Sequence, residues 1–166
     1  MSDQNPSRKP GDVREFLELA QTAKARFETT ELAVEKYGLQ LDRVSELSDQ
    51  FLDEIHRGDQ QENVLWVLEI ALAMITAVMA VNREPLPVSQ QVDPASYAMS
   101  VLRDMAVDAQ ASGLNWVDLE NEAASILRGA DDSGHNNAEA YWALNRATAQ
   151  LELAWARDLA KEDNKG

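Results

Sequence analysis

Between Val64 and Val81 the chain reads VLWVLEIALAMITAVMAV, apolar except for Glu69 and Thr76. A helix with this pattern is greasy on almost every side, so other elements must surround it. The length also suits a membrane span, but Glu69 is costly near a bilayer centre and no Lys/Arg excess flanks either end. Glu62, Glu69, Thr76 and Arg83 recur every seven residues, which places them along one edge of a helix. One narrow wet stripe on an otherwise covered helix predicts the central helix of a bundle. On this reading Glu69 faces solvent or a partner charge.

Upstream, Val13, Phe16, Ala20, Ala23, Phe27, Thr30, Val34 and Tyr37 follow a heptad. The phase carries on past Gly38 through Leu41, Val44, Ser48, Phe51 and Ile55, with Ser48 its weak member. Asp12 with Glu15 makes a capping box at its start. Unbroken phase favours one helix from Asp12 to about Arg57, bent at Gly38, although Lys36-Tyr37-Gly38-Leu39 is also a good stop signal. A continuous helix of about 45 residues would be about 67 Å long. A domain of this size has a radius of gyration of about 15 Å. Such a helix would overhang its own bundle and expose Phe27 or Phe51, which predicts a homodimer with coiled-coil contacts. A break at Gly38 would allow a monomer.

His56 and Arg57 suit a helix C-terminus and Gly58 a stop, and Asp59 with Glu62 caps the central helix, expected to reach Asn82. Pro85 and Pro87 make 83–92 an extended connector between an N-terminal half, 12–82, and a C-terminal half, 93–162. Asp93-Pro94 opens a helix carrying Tyr97, Val101, Leu102, Met105 and Val107, which ends at Gly113. Asn115 caps the next, with Trp116, Leu119, Ala123, Ile126 and Leu127, expected to stop at Gly129 before a polar loop, 129–137. Asn136 with Glu139 starts the last helix, whose seam is Tyr141, Leu144, Thr148, Leu151 and Trp155 and which is expected to fray after Lys161. The prediction is a single all-α domain, a helical bundle around the apolar helix 64–81, with disordered tails at 1–11 and 163–166.

Composition narrows the function. Apolar residues make up 45% of the chain and charged residues 27%, a globular balance over 166 residues. The absence of cysteine rules out disulfides and thiolate metal sites, and two histidines, His56 and His135, cannot make a His-rich one. MSDQNPSRKPG lacks the apolar core of a signal peptide, so a cytoplasmic location is expected. The net charge of −14 is concentrated. Residues 42–69 hold eight acids against two arginines, and residues 93–132 do the same, −6 in each. This field repels nucleic acid and anionic membrane and attracts basic proteins, so direct binding to nucleic acid or membrane is not expected.

Three constellations bear on chemistry. Glu28-x-x-Glu31 and Glu46-x-x-Asp49 resemble the acidic signature of the all-α NTP pyrophosphohydrolases related to MazG and the dimeric dUTPases. That resemblance implies carboxylates on two adjacent helices holding Mg²⁺ against a triphosphate. It needs a turn near Gly38, because on a continuous helix the pairs lie about 27 Å apart. Arg128 and His135 are spaced as in the arginine–histidine element of HEPN ribonucleases, but two acids stand between them. Trp66, Trp116, Trp142 and Trp155 are placed as core residues. No Gly-rich phosphate loop is present. The leading expectation is a non-enzymatic acidic helical protein acting by protein–protein contact, as an adaptor, inhibitor, immunity-type or regulatory protein. Its basic partner would meet acids such as Asp49, Asp53, Asp104 and Asp108, with no catalytic residue, metal or cofactor. The Mg-dependent pyrophosphohydrolase is the alternative.

Overall fold

The computed structural model describes the backbone of residues 13–56, 61–86 and 93–165. Six helices account for nearly all of it: α1 (Val13–Lys36), α2 (Leu41–His56), α3 (Gln61–Val81), α4 (Pro94–Ala111), α5 (Trp116–Asp132) and α6 (Asn137–Lys165). No strand occurs among the described residues. The all-α bundle expected from the periodicities is the observed fold.

Two helices organise the packing. α3 is flanked by α4, α5 and α6, with α2 touching it less, and α6 in turn receives α1 and α2. Val64, Val67, Leu68, Ile70 and Ala71 of α3 are wholly buried and meet Leu47, Phe51 and Ile55 of α2 and Leu144 of α6 in one core. Each of these side chains larger than alanine contributes about 1.5–3 kcal/mol through removal from water. α3 is the one described helix long and apolar enough to cross a membrane, and half of its apolar window is buried inside the bundle. Its apolar length is therefore explained by the helices packed around it.

The expected wet stripe on α3 is interrupted. Glu69 and Arg83 are exposed, but Thr76 is buried. Its hydroxyl donates to the Leu72 carbonyl at 2.7 Å. A threonine that satisfies its own helix can be buried where a charge cannot.

Gly38 breaks the N-terminal helix instead of bending it. It adopts φ +70°, its N–H reaches the Glu35 carbonyl at 3.3 Å and the Leu39 N–H reaches Val34 at 2.8 Å. This is a Schellman stop. The heptad survives the break because α1 and α2 bury the same face. Thr30 and Val34 before Gly38, and Val44, Ser48 and Phe51 after it, all point inward. Periodicity reports the buried side of a helix and is silent about whether the chain runs straight. With the break, Phe51 lies in the chain's own core and Phe27 is half-buried.

Three further expectations are corrected. α5 does not stop at Gly129 but continues to Asp132, and the turn comes at Gly134, with φ +82°. Gly129 serves close packing: a methyl group there would stand 3.1 Å from a carboxylate oxygen of Glu54 on α2. On α4, Tyr97 and Val107 are exposed, while Ala98, Met105 and Ala109 are buried. Val101 and Leu102 are partly buried against the core, so α4 packs through these, Met105 and the two alanines. α6 runs to Lys165, beyond the expected fraying at Lys161. The expected caps at Asp93, Asn115 and Asn136 are in place, each accepting from the N–H three residues on. Those expected at Asp12 and Asp59, and the stop at Arg57-Gly58, lie outside the described residues.

Candidate partner-binding surface

On α2, alternation of buried and polar positions sorts the side chains. Val44, Leu47, Ser48, Phe51 and Ile55 face the core, and Asp42, Glu46, Asp49 and Asp53 are all exposed. Steps of four, three and four residues align these acids in one stripe along the outer face. Asp42 stands in the first turn, where the helix dipole favours it. Asp49 accepts a 3.3 Å hydrogen bond from Gln150, whose carbonyl takes the Ser48 hydroxyl.

The arginine of this helix is drawn mainly away from the stripe, although it still feels Glu46. Arg43 turns away to Glu139 of α6, donating from Nε at 2.6 Å and from Nη2 at 3.3 Å. Nη2 also reaches the Gly134 carbonyl at 3.0 Å, fixing the α5–α6 turn. Glu139 closes the capping box, accepting from the Asn136 N–H at 3.1 Å. The Arg43 hydrogen bond, opposed by partial burial and helped by the Asn136 N–H, holds the Glu139 carboxyl below its ordinary range. His135 joins the group, with Nδ1 at 3.4 Å from Glu139.

On α4, Asp104 and Asp108 are exposed one turn apart, beside an exposed Arg103. α2 and α4 both neighbour α3 and α5. The four acids singled out from sequence are thus all solvent-facing, two on each of these helices.

The other constellations are not assembled. Glu28 and Glu31 on α1, and Glu46 and Asp49 on α2, are exposed. The turn at Gly38 exists, yet among the described residues no three His, Asp or Glu side chains are grouped to hold a metal ion. α1 packs on α6, so its acid pair is not brought against α2. Arg128 is exposed and lines an open cleft with Glu54, Glu122 and Asp132, whereas His135 lies with Arg43 and Glu139. Trp142 and Trp155 are buried, and Trp66 and Trp116 are half-buried around the core. Trp142 stacks on Tyr37 at 6.4 Å and takes the edge of Tyr141 at 4.9 Å.

One polar assembly escaped the sequence reading. Between α1 and α6, Arg26 donates to Glu152 at 2.9 Å and to Asn145 Oδ1 at 3.0 Å. Asn145 donates to the Thr30 hydroxyl at 3.0 Å and to the Arg26 carbonyl at 3.3 Å. Loss of water pushes the Glu152 carboxyl above its ordinary range despite Arg26. Glu69 of α3 is open on its outer side, but its surroundings strip enough water to push its carboxyl up too. Arg26 opposes this and Glu152 reinforces it. Thr30 and Thr148 at seam positions were the only sequence signal, since partners 115 or more residues apart share no local pattern.

No family model, curated protein or solved structure matches this chain.

Proposed function

We propose that the chain acts by protein–protein contact, presenting the acidic outer face of α2, joined by the exposed acids of α4, to a basic partner. The observation that carries this reading is the uncompensated stripe. Asp42, Glu46, Asp49 and Asp53 face solvent while Arg43 is committed to Glu139. A line of four exposed carboxylates whose nearby cation is bonded to another helix steers a positively charged surface and favours fast, salt-sensitive association. An adaptor, inhibitor or regulatory protein would use it in this way.

Affinity capture from the native host at low and high salt supplies the candidate partner. Changing Asp49 and Asp53 to Lys should leave helicity unchanged and slow association most at low salt. The same change at Asp104 and Asp108 reports whether α4 belongs to the surface. A captured partner that is neutral or acidic, or binding that ignores salt and these substitutions, would refute the proposal.

A further inference from the structure

The turn at Gly38 joins two helices that use α6 in opposite directions. On α1, Arg26 bonds Glu152, Thr30 bonds Asn145 and Tyr37 stacks on Trp142, so residue numbers rise on α1 as they fall on α6. On α2, Arg43 bonds Glu139 and Ser48 bonds Gln150, so the numbers rise together. α1 therefore runs antiparallel to α6 and α2 parallel to it. α1 packs on α6 and has no second helix against which it packs to a similar degree. Its seat is one face of one helix.

Two helices that dock in opposite directions need no common phase, yet this chain keeps one. Val34, Tyr37, Leu41, Val44 and Ser48 stay in step through the turn, with no proline among them. In the reversed chain Leu41 gains nothing from this, being 41% exposed. A straight helix would set it beside Tyr37 and Val44 on one face. Straightening also keeps the backbone bonds of the turn. The Gly38 and Leu39 N–H groups, now on the Glu35 and Val34 carbonyls, exchange these for Val34 and Glu35 in helical order.

We propose that α1 is exchanged between two copies of this chain: Gly38 straightens, α1 and α2 become one helix, and each α1 takes the α6 seat of the other copy. The Arg26–Glu152 pair and the Asn145–Thr30 bond are then remade between chains, while Arg43–Glu139 keeps α2 on its own α6. The helix directions fit this exchange. A straightened α1 runs with α2, hence with its own α6, and it must meet the second copy's α6 antiparallel. A two-fold axis perpendicular to the long helix near Gly38 turns the second copy the required way and makes the exchange reciprocal and closed. The 24 residues of α1 would reach about 36 Å beyond α2, and the second copy covers the apolar face they expose.

Alanine at Gly38 tilts the balance toward exchange. It is strained at φ +70°, meets nothing within 4 Å of its Cβ and suits a continuous helix better than glycine. With two hinges in each dimer, Gly38→Ala should raise the association constant on the order of 10³-fold, read by sedimentation equilibrium after refolding at high concentration. Gln40→Pro does the reverse. It stands just before α2, where proline is accepted, but proline breaks a helix interior, so this chain should stay monomeric.

Mixing tells exchange from side-by-side pairing. In the Gly38→Ala background, Arg26→Glu sets two acids at the seam and Glu152→Arg sets two arginines. Exchange between the two kinds of chain restores opposite charges at both seams, so the mixed dimer should form in preference to either chain's own. The chain has no cysteine, so spin labels at Leu32→Cys on α1 and Val117→Cys on α5, exposed at 69% and 59%, give an independent reading. With labelled chains diluted in unlabelled ones, the distance within a chain should be longer in the Gly38→Ala dimer than in the Gln40→Pro monomer. This distance decides alone if a charge-reversed chain does not fold. A Gly38→Ala chain that stays monomeric would overturn the proposal. So would an equal dimer in Gln40→Pro, random mixing of the charge-reversed chains, or an unchanged distance within the chain.

Discussion

Two arginine–glutamate joints sit on α6, and the same pair of side chains behaves oppositely in each. At the α2 joint, Glu139 accepts from Arg43 twice and from the Asn136 N–H, and it occupies the first turn of α6, where the dipole favours an anion. Its ionised form is favoured. At the α1 joint, Glu152 lies in mid-helix, where the dipole gives no help, and takes one hydrogen bond from Arg26. There desolvation outweighs the partner and holds the carboxyl above its ordinary range. An ion pair therefore has no fixed value. The number of donors around the acid and the water left to it decide whether ionisation helps the fold.

The comparison is broken most directly by removing Asn145, the uncharged support of one joint, and Glu139, the acid of the other. Asn145→Ala strips the α1 joint of three hydrogen bonds in a buried position and should cost about 2–3 kcal/mol in denaturant unfolding. Glu139→Ala leaves the Asn136 N–H without its acceptor and should cost about 2 kcal/mol. If the joints are independent, the double variant should add to within about 0.5 kcal/mol. A larger deviation would show that α6 transmits strain between them.

Acid titration sharpens it further. Glu139 is lowered, so its contribution is present above the ordinary carboxylate range and is lost as pH falls through its folded value. Stability measured against pH should therefore fall less steeply on the acid side in Glu139→Gln than in the unmodified chain. An identical acid limb in both would mean that Glu139 is not held low in the folded state.

The smallest effect concerns the link that lets α1 and α2 meet α6 separately. Gly38→Ala places a side chain at φ +70°, with nothing within 4 Å of the added carbon. The cost is then conformational alone, about 1 kcal/mol, read as a small fall in the denaturant midpoint. A neutral result would show that the helix can run on through Gly38 without penalty, as the heptad suggested.

Much of the fold could be read along the chain because it depends on local rules. The apolar run 64–81 had to be enclosed, the caps at Asp93, Asn115 and Asn136 form within four residues, and the phase from Ala23 to Ile55 marks buried faces except at Leu41, which is exposed. The outward acids Asp49, Asp53, Asp104 and Asp108 were legible for the same reason, since a carboxylate without a partner belongs in water. Other features were settled only by packing. Whether Gly38 bends or breaks depends on α6 being there to receive two helices. Gly129 lies inside α5 with Glu54 of α2 against it, and Tyr97 is exposed while Ala98 and Ala109 are buried. The two joints belong to this second class. Arg26 meets Glu152 across 126 residues and Arg43 meets Glu139 across 96. Sequence shows that these charges exist, but only the tertiary structure sets their distances, their donors and their access to water, and these decide which carboxyl is held above its ordinary range and which below.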